Sequence, residues 1–267
     1  MKGATPLAGP RRPTHAFLRF TRSAHPVYLD TDVDMTAVTA HRRMSRDAGV
    51  RYSWVIYTVF AAGRVLSRHP EANAAISGQL WPRVVRYDGA DAKLALDKTV
   101  NGQRVVLSGL LRGVDHSPLA EIQAQVDQYR DGDPATMPAF AGAFALQRLP
   151  AALGSLAFTI GVRPLARRRS RLGTFSVTSL GHTAVDGFHS YGGTAVTLGL
   201  GRVADRPVVR AGLLASAPVM RLSLSFDHRV IDGAEADDVL TEVREVLESF
   251  PAPAQAAGPV AAAEVRG

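Results

Sequence analysis

The sequence predicts an α+β fold, a mixed β-sheet with flanking helices, and three observations carry that expectation. Segments with strand alternation and segments with helical periodicity follow one another without the regular βα rhythm of a doubly wound sheet. An Asn101-Gly102 pair separates two alternating runs, a strong two-residue hairpin signal and hence an antiparallel pair. The chain has 267 residues, 46% of them hydrophobic, enough to bury a full core.

Residues 1 to about 22 are rich in Pro, Gly and Arg and are expected to form a flexible segment; 251–267, PAPAQAAGPVAAAEVRG, is expected to be a disordered tail. The domain proper is therefore expected over 23–250. Its first strand is Val27 to Val33, where Val27, Leu29, Thr31 and Val33 alternate with polar or amphipathic residues. Asp34 is placed to cap a helix running to about Ala48, and Ser53 to cap a second, mostly apolar helix that Pro70 ends. Leu94 to Leu110 forms the hairpin around Asn101-Gly102. Ser117-Pro118 opens a helix through Tyr129, with proline at its first position. Residues 137–169 are strongly apolar, but Gln147, Arg148 and Pro150 interrupt the run before about 20 residues accumulate, so amphipathic helices are expected and not a membrane span. Strands follow at Thr174 to Ser179, Ala195 to Val203 and MRLSLSF. The last helix, Ala234 to Ser249, carries Val239, Leu240, Val243, Val246, Leu247 and Phe250 on one face.

Composition removes several chemistries. With no cysteine there is no disulfide framework, thiolate metal site or cysteine nucleophile. The N-terminus lacks the apolar core of a signal peptide, so a cytoplasmic location is expected. The net charge of +7 favours anionic partners. Its basic residues are scattered, apart from Arg11-Arg12 and Arg167-Arg168-Arg169, and lack the aromatic interleaving of nucleic-acid grooves. No nucleic-acid partner is expected, and a phosphorylated cosubstrate fits the same excess. No G-x-S-x-G, HExxH or Walker pattern occurs. Gly199 to Ala204 matches a dinucleotide fingerprint in letters only, because Asp205-Arg206-Pro207 would end the helix whose N-terminus must cradle the pyrophosphate. Lys98 in Asp97-Lys98-Thr99 lies off the hairpin tip, where a lipoyl-lysine would have to sit.

One constellation remains, SFDHRVIDG at 225–233. A strand delivers His228 to a sheet edge. Gly233 allows a sharp turn and close approach to a ligand, and Asp227, Arg229 and Asp232 can pair with one another or with distant arginines. An imidazole so held is a good general base near neutral pH, although a salt-linked turn would use the same residues. His182, in TSLGH, lies near a possible hydroxyl site. The other six histidines have no supporting pattern.

SFDHRVIDG closely resembles the DHRxxDG signature of the catalytic domain of E2 acyltransferases, the core of 2-oxoacid dehydrogenase complexes, whose fold is shared with chloramphenicol acetyltransferase. HPVYLDTDVDMTAV, RHPEANAAI, LDKTVNGQRVVLSGL and LGTFSVTSLGH resemble further segments of that family in the same order, over roughly Ser23 to Phe250. The resemblance implies a chloramphenicol acetyltransferase-like fold and a homotrimer with an active site at each subunit interface, where coenzyme A and the acceptor meet. It implies His228 as general base, Thr178 as donor to the oxyanion, and Asp232 as holder of the histidine loop through Arg19 or Arg22. Ser179, His182 and Gly233 are the expected substrate-binding residues. Acetyl-CoA is the expected cosubstrate, with no metal and no covalently bound lipoate.

The sequence departs from that family at both ends and in a longer segment from Pro134 to Arg171, which predicts a free-standing trimer in place of a complex core. Free-standing forms resemble the acetyltransferases of tetronate and spirotetronate antibiotic pathways. On that resemblance the acceptor is a primary hydroxyl of a hydroxymethyl tetronate, a small molecule of polyketide origin. Its acetate would leave under a downstream eliminating enzyme. Acyl transfer to dihydrolipoamide and a catalytically silent scaffold are the alternatives.

Overall fold

The computed structural model describes residues 3, 6–100, 102–181 and 183–251. Its centre is a six-stranded mixed sheet built from β1 (Pro26–Asp34), β4 (Ala92–Val100), β5 (Gln103–Leu111), β6 (Phe175–Ser179), β7 (Val196–Arg210) and β8 (Leu213–Asp227), with β2 (Ala74–Ser77) and β3 (Arg83–Arg86) forming a separate pair. The order across the large sheet is β1-β8-β7-β6-β4-β5. The contacts β4·β6 and β6·β7 are parallel and the others antiparallel, which makes the sheet mixed as expected.

Alternation explains why one face is covered. Phe175, Val177, Leu198, Leu222, Leu224 and Phe226 point to the side packed by the helices α2 (Thr36–Asp47), α3 (Trp54–Leu66) and α8 (Gly233–Glu248), and form one core with them. Ser53 stands at the start of α3 but makes no side-chain cap, and its buried hydroxyl has no partner. The first helix of that layer is held better: Asp34 Oδ1 accepts from the backbone N–H of Thr36 at 2.9 Å. On the opposite face the residues of the same strands are small and polar, among them Ser176, Thr197, Ser223 and Ser225, all buried.

Two expectations change, one lies outside the described residues and one holds. Within the segment 1–22, expected to be flexible, residues Arg12–Thr21 form α1, which docks on α6 (Ala151–Val162) through Phe17 and Phe20 edge-on to Phe158. Arg12 adds hydrogen bonds to the carbonyls of Gln147 and Leu149. The tail from 252 onward, the Asn101 half of the hairpin tip and His182 lie outside the described residues. The strands expected at 195–203 and 220–226 are two arms of a 15-residue pair that runs on past the sheet to Ala211-Gly212, both with positive φ. Pro207 is tolerated there because a two-stranded ribbon leaves an edge open on each side. The apolar stretch 137–169 resolves into α5 (Ala141–Arg148), α6 and the start of α7 (Leu165–Leu172), as short helices against the body. Together with α4 (Leu119–Asp131) they complete the helical complement, and among the described residues no helix is long and apolar enough to cross a membrane.

Gly199 and Gly201 have a packing reason and lie in the interior of β7. A Cβ on Gly201 would stand 1.8 Å from the carbonyl oxygen of Asp186, and one on Gly199 would stand 2.6 Å from that of Phe188. The segment 186–188 crosses that closely, so the fingerprint-like spacing serves strand coverage.

Candidate active site

The core of the site is the end of β8 and the five-residue link, 228–232, that joins it to α8. Asp227 closes β8 in a position only 2% exposed. Its carboxylate accepts from Arg229 Nη2 at 2.5 Å, Arg229 Nε at 2.9 Å, the Arg229 backbone N–H at 3.2 Å and the Tyr191 hydroxyl at 3.0 Å. Burial alone would raise the Asp227 pKa, but the hydrogen bonds and charge of Arg229 outweigh it and hold the carboxyl below its usual range. Burial first, and then the charge of Asp227 and the hydrogen bond to it, push the Tyr191 phenol far above its ordinary value. A buried pair with this many hydrogen bonds fixes the link as a rigid turn.

His228 is set by that turn. Its backbone N–H donates to the carbonyl of His25 at 3.0 Å, so the residue stays registered beside β1. Its ring rests against Phe226, centroids 5.5 Å apart, and Nδ1 lies 3.3 Å from Asp232 Oδ1. A carboxylate on that side favours the proton on Nδ1 and leaves the Nε2 lone pair available as a base. About half of the side chain is exposed.

The structure treats the other expected residues unequally. Asp232 meets the histidine itself. Among the described residues neither Arg19 nor Arg22 pairs with it, and the loop-holding role expected of it belongs to Asp227 with Arg229 and Tyr191. Asp232 occupies the N-cap position of α8 without a side-chain cap, which leaves its carboxylate to His228. Gly233 does not make the sharp turn expected of it. It is the first residue of α8, its φ is not positive, and a Cβ there would meet nothing within 4 Å. Thr178 and Ser179 end β6, both half-buried. Ser179 Oγ accepts from the Gly181 backbone N–H at 3.2 Å, whereas the Thr178 hydroxyl has no partner among the described residues.

Within one protomer His228 and Thr178 are far apart. Thr178 pairs with Gly199 on β7, and Gly199 pairs with Ser223 on β8. His228 lies five residues beyond Ser223, roughly 17 Å along the strand, and the two strand spacings add about 10 Å across the sheet. Alternation also sets Thr178 on the polar face with Ser176 and Ser223, opposite the face that carries Phe226. Both groups can act on one substrate only if different copies of the chain supply them.

The geometry defines an imidazole just past the end of an interior strand, not at the sheet edge expected from the sequence, with a carboxylate behind it, in an α+β fold with a mixed sheet. Residues 162–255 match the 2-oxoacid dehydrogenases acyltransferase (catalytic domain) family. The chain is 27% identical over 240 residues to the dihydrolipoyllysine-residue acetyltransferase component of the pyruvate dehydrogenase complex of Bacillus subtilis, covering 87% of this chain and 47% of that protein. It spans about half the length of the curated relatives it matches. The structure of the cubic core of the pyruvate dehydrogenase multienzyme complex superposes with a TM-score of 0.70 at 19% identity, covering 93% of this chain and 92% of that one. A chloramphenicol acetyltransferase structure superposes with a TM-score of 0.50 at 19% identity, covering 88% and 94%. Over residues 162–255 the chain is similar to the catalytic domain of E2 acyltransferases, and as a whole it has the chloramphenicol acetyltransferase-like fold.

Several groups around the site carry little sequence signal. Tyr191 lies in a segment without periodicity. Lys93 lies within β4, and its ammonium is buried against the Gly192 carbonyl and 4.6 Å from the Phe17 ring centroid. Alternation places Lys93 on the polar face of the sheet beside Ser176, where a lysine reads as a solvated surface residue, so its burial leaves no trace in the sequence.

Proposed function

We propose that the protein transfers an acyl group between coenzyme A and a nucleophilic acceptor, at a site shared between neighbouring copies in a cyclic homotrimer. The observation that carries this reading is His228, with Nδ1 facing Asp232 Oδ1 at 3.3 Å and Nε2 without a partner among the described residues, on a turn locked by Asp227 and Arg229. Nε2 takes the proton of the acceptor's thiol or hydroxyl as that atom attacks the thioester carbonyl. The carbonyl oxygen of the tetrahedral intermediate accepts from the Thr178 hydroxyl of the neighbouring copy. Collapse breaks the carbon–sulfur bond, and the imidazolium returns its proton to the departing coenzyme A thiolate. Asp232 stabilises the imidazolium between the two transfers and carries no proton itself.

The named relatives support a dihydrolipoyl acceptor, since they are dihydrolipoyllysine-residue acetyltransferase and succinyltransferase components. The hydroxymethyl tetronate expected from the sequence is the competing acceptor, with a downstream eliminating enzyme as its partner. Incubation with acetyl-CoA and either dihydrolipoamide or a hydroxymethyl tetronate, followed by mass spectrometry, separates the two. An acetyl gain on dihydrolipoamide alone rejects the tetronate, and a gain on the tetronate alone rejects the lipoyl reading. Coenzyme A binding without transfer to either thiol or hydroxyl would favour a silent scaffold.

A further inference from the structure

The arginine run at 167–169 divides its duties. Arg167 is exposed, and Arg169 pairs with Asp91 at 2.9 Å. Arg168 turns inward from α7 and is only 7% exposed. Its Nε donates to the carbonyl of Val162 at 2.7 Å, Nη2 to that of Arg163 at 3.0 Å and Nη1 to that of Ile76 at 3.4 Å. A guanidinium has five N–H donors, so one on Nη1 and one on Nη2 remain without a protein acceptor. Among the described residues no carboxylate pairs with it. Its charged and titratable surroundings are Tyr87, Tyr191 and Arg229, and Arg229 is already neutralised by Asp227. A buried guanidinium without a counter-charge is costly unless an anion completes it.

Arg168 lines a cavity of about 270 Å³ that reaches the back of the catalytic turn at Asp227 and Arg229. Tyr87 lines the same cavity. Its hydroxyl is buried and has no partner, and the residue is 9% exposed. Arg19 and Arg163 stand at the exposed side, neither in an ion pair among the described residues. With Arg168 and Arg229 they give four guanidinium groups against the single carboxylate of Asp227, a local excess of three positive charges. The size suits a small occupant, since pockets for drug-sized ligands begin near roughly 300 Å³. Two guanidinium N–H groups, a phenol O–H and this excess match a tetrahedral dianion better than a planar monoanion.

We infer that this cavity is a phosphate-binding site behind the catalytic turn, taking either a free small phosphate or a phosphate group carried by a coenzyme. The site is distinct from the face on which the His228 ring is presented, and it does not depend on the acyl-transfer reading. It also gives the C-cap of α6 and the inward face of α7 a task, because they supply Arg163 and Arg168.

The test is calorimetric titration of the full chain with inorganic phosphate at constant ionic strength, repeated with saturating coenzyme A, and with acetate as the monoanion control. Saturable phosphate binding, at least tenfold tighter than acetate and at least tenfold weaker in Arg163→Gln and Tyr87→Phe, supports the site. Loss of that binding under coenzyme A assigns the phosphate to the coenzyme, and persistence assigns it to a separate small molecule. Absence of saturable phosphate binding, equal binding of acetate, or binding unchanged in both variants overturns the inference. These two variants keep the test decisive even if Arg168→Met fails to fold.

Discussion

The separation of His228 from Thr178 makes a quantitative prediction for mixed assemblies. Each single variant should be severely impaired: His228→Ala by about 10² to 10⁴ as the loss of a general base, and Thr178→Ala by about 10² to 10³ as the loss of an oxyanion donor. Suppose the two chains are co-expressed in equal amounts and assemble at random into rings. A site is intact only when the copy supplying His228 is the Thr178→Ala chain and its neighbour supplying Thr178 is the His228→Ala chain. That combination occurs at about one site in four in a closed cyclic assembly. The mixture should therefore recover about a quarter of wild-type turnover, well over tenfold above either parent. The assay is chromatographic release of free coenzyme A from acetyl-CoA in the presence of acceptor, with differently tagged chains to verify co-assembly. The reasoning is refuted if tagged hetero-oligomers form and their activity stays at the level of the parents. In that case the strand register has been misapplied, or the oxyanion donor is not Thr178.

Three further outcomes follow from the charges. Burial holds the Lys93 ammonium at a pKa of about 8 against an ordinary 10.5, a penalty on the folded state of about 3 kcal/mol. The penalty is full below pH 8 and fades as pH rises toward 10.5, so the wild type should gain stability over that window in denaturant titrations. Lys93→Met should be more stable than wild type at neutral pH by roughly 1–3 kcal/mol and lack that gain; the Gly192 carbonyl keeps the Ser176 hydroxyl as a donor. Asp227→Ala leaves the Arg229 charge without its carboxylate and should cost roughly 3–5 kcal/mol by chemical denaturation, together with most of the activity. At His69, burial would lower the pKa, but hydrogen bonds to Glu235 and Glu242 raise it above 6.5. The stability it contributes is complete below pH 6.5 and is lost as pH rises through the raised value, so the melting temperature of the wild type should fall more steeply above pH 6.5 than that of His69→Gln.

The parts of the fold that sequence discloses are those set by local chemistry. The β4–β5 hairpin needed only alternation and Asn101-Gly102, and α8 needed only its apolar stripe. The outer half of the β7–β8 ribbon was hidden because Asp205-Arg206-Pro207 carries helix-stopping and turn chemistry. That chemistry is harmless on a ribbon whose outer groups face solvent, and Val209, Leu213 and Leu214 stand 73%, 73% and 80% exposed near its tip. α1 was hidden for the opposite reason. Its Pro/Gly/Arg-rich composition suggests a loose end, and it is the distant helix α6 that gives Phe17 and Phe20 an aromatic ring to pack on.

The site divides along the same line. His228, Asp232, Asp227 and Arg229 fall within six residues, so one turn brings them together and the motif displays them. Motif reasoning still misassigned their pairing, because a nine-letter pattern does not say which carboxylate is buried. Burial decides it. Asp227 is at 2% exposure and must take the arginine and the tyrosine, while the side chain of Asp232, 88% exposed, is free to face the imidazole. The single guanidinium that the motif offers therefore stabilises the turn, and the carboxylate that faces the imidazole is an exposed one that solvent screens. Rigid backbone placement, more than a strong charge relay, is then what this chain contributes to His228, and under the proposed function the oxyanion donor comes from a neighbouring copy.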